Sequence, residues 1–219
     1  MSATRREFLG ASISLAATAS AAQVEKPVVI TTRTGGDLLS RMTWLNPPAL
    51  ENYVDGTINV RSKGRTDFWR KTFYGYITDN GHFMSIPVKG DFKFSARVMG
   101  NYAALYDQAG LMVRLDAKDW MKCGTEFFEN KRWASVVFTH DFSDWSTMDD
   151  LSQNGAVYWR VERKKDSIDV LCSKDGDRYA TVRQGYFPAG VSVNVGVMLA
   201  APAGPGFDAT FDQLVLETA

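Results

Sequence analysis

Apolar and polar residues trade places at every second position through much of this chain, and Asx-Gly turns interrupt the alternation at short intervals. Successive side chains of a strand point to opposite faces, so a period of two marks a half-buried β-strand. Phe92, Phe94, Ala96 and Val98 alternate with Lys93, Ser95 and Arg97. Val157, Trp159 and Val161 do the same against Tyr158, Arg160 and Glu162. Ile168, Val170 and Cys172 repeat the pattern, and Val191, Val193, Val195, Val197 and Leu199 form its longest run. A last strand carries Phe207, Ala209 and Phe211, then Leu214 to Leu216. Between these stand Asp55-Gly56, Asn80-Gly81, Lys89-Gly90-Asp91, Asn154-Gly155 and Asp175-Gly176, residue pairs that suit tight turns. Strands so bounded predict an all-β fold, an antiparallel sandwich or barrel. No window of twelve residues shows a helical period, and Ala201 to Gly206 reads as a Pro-Gly loop. No repeat, linker or shift of composition divides residues 23–219, which are expected to form a single domain. Its 13 Phe, 8 Tyr and 6 Trp are strand formers.

Residues 1–22 read as a separate segment. Thr4-Arg5-Arg6-Glu7-Phe8-Leu9-Gly10 resembles the twin-arginine export signature. Ala11 to Ala22 follows, weakly apolar and too short for a bilayer, which needs roughly 20 apolar residues. Ala19-Ser20-Ala21, or Ala17-Thr18-Ala19, offers a small-x-small cleavage pattern. The expectation is a bacterial signal peptide and a periplasmic or secreted product with no membrane association after cleavage. Formal charge is zero, from 25 basic and 25 acidic residues, and becomes −1 when Arg5, Arg6 and Glu7 leave. Such balance supplies no positive field for phosphates, which argues against a nucleic-acid partner. Cys123 and Cys172 both fall on core-facing phases; an oxidising compartment permits a disulfide, and two buried thiols fit equally.

The informative block runs from Tyr102 to Ser146. Gln108 to Leu115, Asp119 to Phe127 and Trp133 to His140 read as strands, the first two joined as a hairpin through Asp116-Ala117-Lys118. Parity sorts their side chains: Ala109, Leu111 and Val113 point one way, Gln108, Gly110, Met112 and Arg114 the other. Trp120, Lys122, Gly124 and Glu126 share a face, as do Ser135, Val137 and Thr139. Grouped, Gln108, Arg114, Trp120, Lys122, Glu126, Ser135 and Thr139 form one polar surface with two glycines in it. Strand glycines often mark the close approach of a ligand or of another backbone. Amide, guanidinium, ammonium and carboxylate groups pair with sugar hydroxyls, and an indole stacks on the apolar C–H side of a sugar ring. The same residues also suit a solvated outer face, whose Lys122–Glu126–Arg114 charge cluster is worth about 1 kcal/mol or less.

Several longer segments carry a family resemblance. They are Trp44-Leu45-Asn46-Pro47-Pro48, Thr66-Asp67-Phe68-Trp69-Arg70-Lys71-Thr72, Asp79-Asn80-Gly81-His82 and Tyr106-Asp107-Gln108-Ala109-Gly110-Leu111-Met112-Val113-Arg114. Trp120-Met121-Lys122-Cys123-Gly124-Thr125-Glu126 and Asp141-Phe142-Ser143-Asp144-Trp145-Ser146 complete them. Together they resemble the regulation-of-enolase-protein family, a concanavalin-A-like domain of unknown function, from about Leu38 to Glu217. The resemblance implies an antiparallel two-sheet jelly-roll sandwich of the lectin and glucanase type, and brings no established activity. Cys172 stands where a Tyr or similar residue is expected before Ser-x-Asp-Gly, which weakens the idea of a family-wide disulfide.

Three roles follow for such a chain. The first is binding of a carbohydrate without catalysis, with Trp69, Tyr74, His82, Asp107, Gln108, Arg114, Trp120, Lys122 and Glu126 as candidate ligand contacts. Each has a plainer reading: Trp69 suits a core, His82 suits a turn after Asn80-Gly81, and Asp67 suits a cap on Phe68 and Trp69. The second is a structural or protein-interaction domain of the cell envelope, which a large exposed apolar patch would favour. The third is glycoside hydrolysis with Glu126 as acid and Asp107 or Asp79 as its partner. Two such carboxyls flank the bond at about 5 Å for retention or about 6.5–9.5 Å for inversion. Glu126 and Glu129 are three apart and would face opposite sides. No cofactor or metal is expected, because His82 and His140 lack zinc spacing and no phosphate loop or nucleophile elbow occurs. Asp141-Phe142-Ser143-Asp144 with Asp149-Asp150 reads as a hydrated loop, with calcium through its oxygens as the alternative.

Overall fold

The computed structural model describes residues 30–149 and 153–218, so the segment read as an export signal lies outside the described residues. The strands begin with β1 (Thr31–Thr34), β2 (Thr43–Leu45), β3 (Leu50–Val54), β4 (Thr57–Arg61), β5 (Phe68–Arg70) and β6 (Ile77–Asp79). Then come β7 (His82–Lys89), β8 (Phe92–Gly100), β9 (Gln108–Arg114), β10 (Asp119–Phe128), β11 (Lys131–His140) and β12 (Phe142–Asp149). The order ends with β13 (Val157–Lys164), β14 (Ser167–Ser173), β15 (Ala180–Tyr186), β16 (Ser192–Ala200) and β17 (Asp208–Thr218). A short helix, α1 (Gly35–Leu39), follows β1.

The alternating strands assemble as the period of two requires, into two antiparallel sheets with their apolar faces together. One runs β15-β14-β13-β8-β17-β4-β3, with β1 also paired to β17; the other runs β12-β11-β10-β9-β16-β7-β2. The core between them holds Phe94, Ala96 and Val98 from β8, Trp159 and Val161 from β13, and Val193, Val195 and Val197 from β16. Cys123 and Cys172 face this core from opposite sheets and are not bridged, and burial pushes the Cys123 thiol far above its ordinary range. In β17 the inward residues change phase, from Ala209 and Phe211 to Leu214 and Leu216. The register slips between Asp212 and Val215, and Gln213 takes a left-handed φ of 50°. A bulge of this kind restores the apolar phase after an odd step.

Two segments depart from the sequence reading. Of the acidic stretch taken as a hydrated loop, Phe142–Asp149 is β12, an edge strand registered on β11, Asp141 stands at the bend before it, and Asp150 lies outside the described residues. The described carboxylates have cationic partners: Asp141 with Arg70 and Lys71, Asp144 with Arg183, and Asp149 with Lys131. The second departure concerns residues 62–81. Asn80-Gly81 does not close a hairpin between sheet neighbours, because β5 and β6 pair only with each other and lie as a two-stranded flap on the outer face of the β9–β12 region. The flap's base is tied at Asp67, whose carbonyl accepts from the Asn80 and Gly81 amides while Asn80 Oδ1 accepts from the Asp67 amide. The Phe68 ring lies so close to Gly81 that a Cβ there would stand 2.4 Å from it.

Candidate functional site

Parity places the polar set on one face, as the registers show. Trp120 pairs with Arg114 on one side and Thr139 on the other, Lys122 with Met112 and Val137, Glu126 with Gln108 and Trp133. That face is not open, which corrects the expectation of a polar surface exposed to sugar or solvent along its length. Arg114, Trp120, Lys122 and Glu126 are all buried, and β9 is buried along its whole length on both faces. The flap is the cause. Phe68 and Trp69 close with Phe83, Met112, Trp120, Val137 and Met198 into a second, smaller hydrophobic cluster outside the main core.

The flap splits the candidate residues into two groups. Gln108 and Arg114 stand at opposite ends of β9, roughly 20 Å apart at about 3.3 Å per residue. Arg114, Trp120, His82 and Asp107 are buried and their charged groups have partners inside the protein, while Trp120 Nε1 and Asp107 Oδ1 have no hydrogen-bond partner among the described residues. Arg114 donates two hydrogen bonds to Asp79, each 2.8 Å, and its guanidinium lies 5.8 Å from the Phe68 ring centroid. Trp120 lies beneath Phe68, with ring centroids 6.2 Å apart. His82 is buried with its Nδ1 2.7 Å from the Asn46 carbonyl, and its Nε2 accepts from the Lys63 amide; desolvation lowers its pKa. Asp107 turns its Oδ2 to the Ala103 and Ala104 amides. His82, Asp107, Arg114, Trp120 and Asp79 all lie outside the pocket lined by Glu126 and Trp145, and they serve the fold around it.

The pocket opens at the Glu126 end. It is lined by Asp67, Trp69, Tyr74, Tyr76, Tyr106, Gln108, Lys122, Glu126, Val137 and Trp145, so five of the sequence candidates meet here. Its floor is polar. Lys122 Nζ donates to the Phe68 carbonyl at 2.7 Å and to Asp67 Oδ1 at 3.2 Å, and the Gln108 amide donates to the same Asp67 oxygen at 3.4 Å. Trp145 Nε1 is shared between Glu126 Oε2 and Ser135 Oγ, both at 3.0 Å. Its wall is aromatic and continuous. Trp69 meets Tyr74 edge-on at 5.8 Å, Tyr74 stacks on Tyr76 at 5.4 Å, and Tyr106 meets Trp145 edge-on at 6.4 Å. The Tyr74 and Tyr106 hydroxyls lie 3.2 Å apart and join the flap's rings to the sheet's; this bond, with burial, pushes the Tyr106 phenol up to about 12.

Asp67, Tyr76, Tyr106 and Trp145 were not among the candidates. Asp67, not Asp79 or Asp107, is the carboxylate that the flap carries to Glu126. A signal existed in the aromatic run Phe73-Tyr74-Gly75-Tyr76, which is out of character for a hydrated turn. The two strand glycines find their reason in the backbone. Gly110 and Gly124 pair directly across β9 and β10, and a Cβ on Gly124 would lie 2.2 Å from the Ala109 carbonyl oxygen. They allow close approach of two strands, not of a ligand.

Burial raises the Glu126 carboxyl above its ordinary value, and the Lys122 charge is the largest opposing influence. A carboxyl that holds its proton more tightly when folded stabilises the fold below its unfolded pKa and loses that contribution as pH rises through the folded one. Wild-type stability should therefore descend relative to Glu126→Gln from about pH 4.5 upward. Thermal melts of both proteins across the acidic range check this, and parallel curves would mean that the carboxyl is solvated.

Comparison with known proteins places this architecture. Residues 44–219 match the family described as a protein of unknown function, DUF1349. Regulation of enolase protein 1 from Saccharomyces cerevisiae is 38% identical over 176 residues, covering 80% of this chain and 88% of that protein. A crystal structure of a functionally unknown protein from Saccharomyces cerevisiae superposes with a TM-score of 0.79 at 37% identity, over 83% of this chain and 97% of the other. A xylan β-1,4-xylosidase from Bacillus halodurans C-125 matches at a TM-score of 0.60 and 14% identity, over 76% of this chain and 33% of the enzyme. The last is a likeness of fold alone.

Proposed function

The chain belongs to the DUF1349 family, and from that premise we propose that it is a carbohydrate-binding β-sandwich that holds its ligand in the aromatic-walled pocket without catalysis. One observation carries the reading: five aromatic rings surround a floor on which ammonium and amide donors alternate with two carboxyl acceptors. Sugars offer the matching surfaces, C–H faces for the rings and hydroxyls for the floor. The acids speak against turnover. Both oxygens of Asp79 are engaged by Arg114 and Asp107 is turned into its own loop, while Asp67, the carboxylate that does reach Glu126, is held at Oδ1 by Lys122, the Gln108 amide and the Phe68 amide. A sandwich of this shape within a protein named for action on xylan makes xylan a reasonable first probe.

A glycan array followed by affinity electrophoresis in xylan tests the reading. Trp145→Ala should weaken retention by about thirtyfold, the loss of about 2 kcal/mol expected of an aromatic anchor. Tyr186→Ala, exposed and outside the pocket lining, should leave retention unchanged. Failure of the folded protein to bind any glycan would remove the proposal.

A second reading rests on the rim. Phe73 is 92% exposed, and Leu105, Phe142, Tyr74, Tyr76 and Ile77 are also exposed, an apolar surface of the sort that marks protein contacts. Under either reading we place the protein outside the cytoplasm, on the strength of Arg5 and Arg6 in their signature. A reporter fused after Ala22 should lose export when both arginines become Lys.

A further inference from the structure

Resting on the carbohydrate reading, we propose that the pocket takes the end of a glycan chain, seating the hydroxyls of a terminal sugar and refusing internal segments. A chain bound along its length needs a groove open at both ends. Here the face is closed toward Arg114, where Phe68 is fully buried over Trp120 and the flap is held by Asp79–Arg114 and Asp67–Lys122. It is closed on the opposite side too. Phe128 stacks on Trp133 with ring centroids 5.0 Å apart and meets Trp145 at 5.3 Å, a wall standing beyond Glu126. The Tyr74–Tyr106 hydroxyl contact shuts the gap between flap and sheet.

The free volume of the pocket is about 30 Å³. That is about the share of one or two waters, far below a pyranose ring. The hydroxyls of a sugar can therefore enter while its ring rests on the collar. The rim decides how a chain can approach. Phe73, Tyr74, Tyr76, Phe142 and Trp145 project into solvent, so a polymer lying across the mouth would have to climb over them, whereas an end can enter between them. The floor decides the chemistry. An ammonium ligand would meet Lys122, and a carboxylate ligand would meet Asp67 and Glu126. A neutral hydroxyl, both donor and acceptor, satisfies both kinds of group.

The test uses the full folded protein with linear xylan, β-1,4-glucan and β-1,3-glucan, each intact and after endo-cleavage to short oligomers, in equilibrium titrations. Recognition of ends predicts that binding at fixed mass of carbohydrate rises in proportion to the number of chain ends. It also predicts that Trp145→Ala lowers binding of cut and intact material by the same factor. Binding that follows mass and ignores cleavage would overturn end recognition and leave carbohydrate binding standing. If none of the three binds, cut or uncut, end recognition is overturned, and carbohydrate binding stands or falls by the array alone.

Discussion

Lys122→Met should cost the fold about 3 kcal/mol or more, a fall of roughly 10 °C in melting temperature for a domain of this size. The ammonium is 6% exposed and its partner Asp67 is 13% exposed. Met keeps an apolar stem of similar length and removes the charge together with its hydrogen bonds to the Phe68 carbonyl and to Asp67. Asp67 then retains a buried negative charge with the Gln108 amide and the Phe68 amide as its remaining donors, and Glu126 loses its nearest cation. Breaking one side of a buried pair costs far more than the pair is worth, because the survivor has lost its water as well. Asp67→Asn in the Lys122→Met background should therefore return much of the lost stability, a coupling that a double-mutant cycle by chemical denaturation measures directly. Ligand retention should stay lost in both. A single Lys122→Met variant as stable as wild type would show that the floor is wet and that the flap does not seal the pocket.

Gly124→Ala should be comparably severe, for a reason that involves no charge. The added carbon would lie 2.2 Å from the Ala109 carbonyl oxygen and 2.7 Å from the Gly110 Cα. These are backbone atoms in the middle of a seven-stranded sheet, so the strands themselves must part. Overpacking usually costs about 1–3 kcal/mol, and a backbone clash belongs at or beyond the upper end. The displacement would also shift Glu126 and Gln108, two residues along from this contact on either strand, against the flap. Gly36→Ala is the control. A Cβ added there would meet nothing within 4 Å and its φ is not left-handed, so a change within about 0.5 kcal/mol is expected. Thermal melts of the two variants side by side settle the comparison.

Much of the sheet architecture was legible because strand parity is local. Gln108, Lys122 and Glu126 could be assigned to one side from their spacing alone, and the registers agree. The Asp116-Ala117-Lys118 hairpin was equally readable. The flap was not. β5 and β6 are three residues each, too short to display a period, and Phe68 and Trp69 look like core residues because they are, though of a second core. β12 was missed because its outward carboxylates and exposed Phe142 blur the alternation of an edge strand. Of the site, the floor residues Gln108, Lys122 and Glu126 could be found from strand phase. Asp67, Tyr76, Tyr106 and Trp145 could not be joined to them, because they reach the pocket from a flap, a loop and an edge strand distant in sequence.

The order of residues along the chain determined by itself an all-β fold and the side on which each β9 or β10 residue emerges, since both follow from backbone geometry between immediate neighbours. Only the tertiary structure decided which of those side chains would meet a ligand. Residues 62–81 fold back over the face, take Arg114 and Trp120 out of play and leave Glu126 and Lys122 at the bottom of an aromatic well. That choice is made by contacts between segments dozens of residues apart, where burial and charge pairing outweigh any local preference.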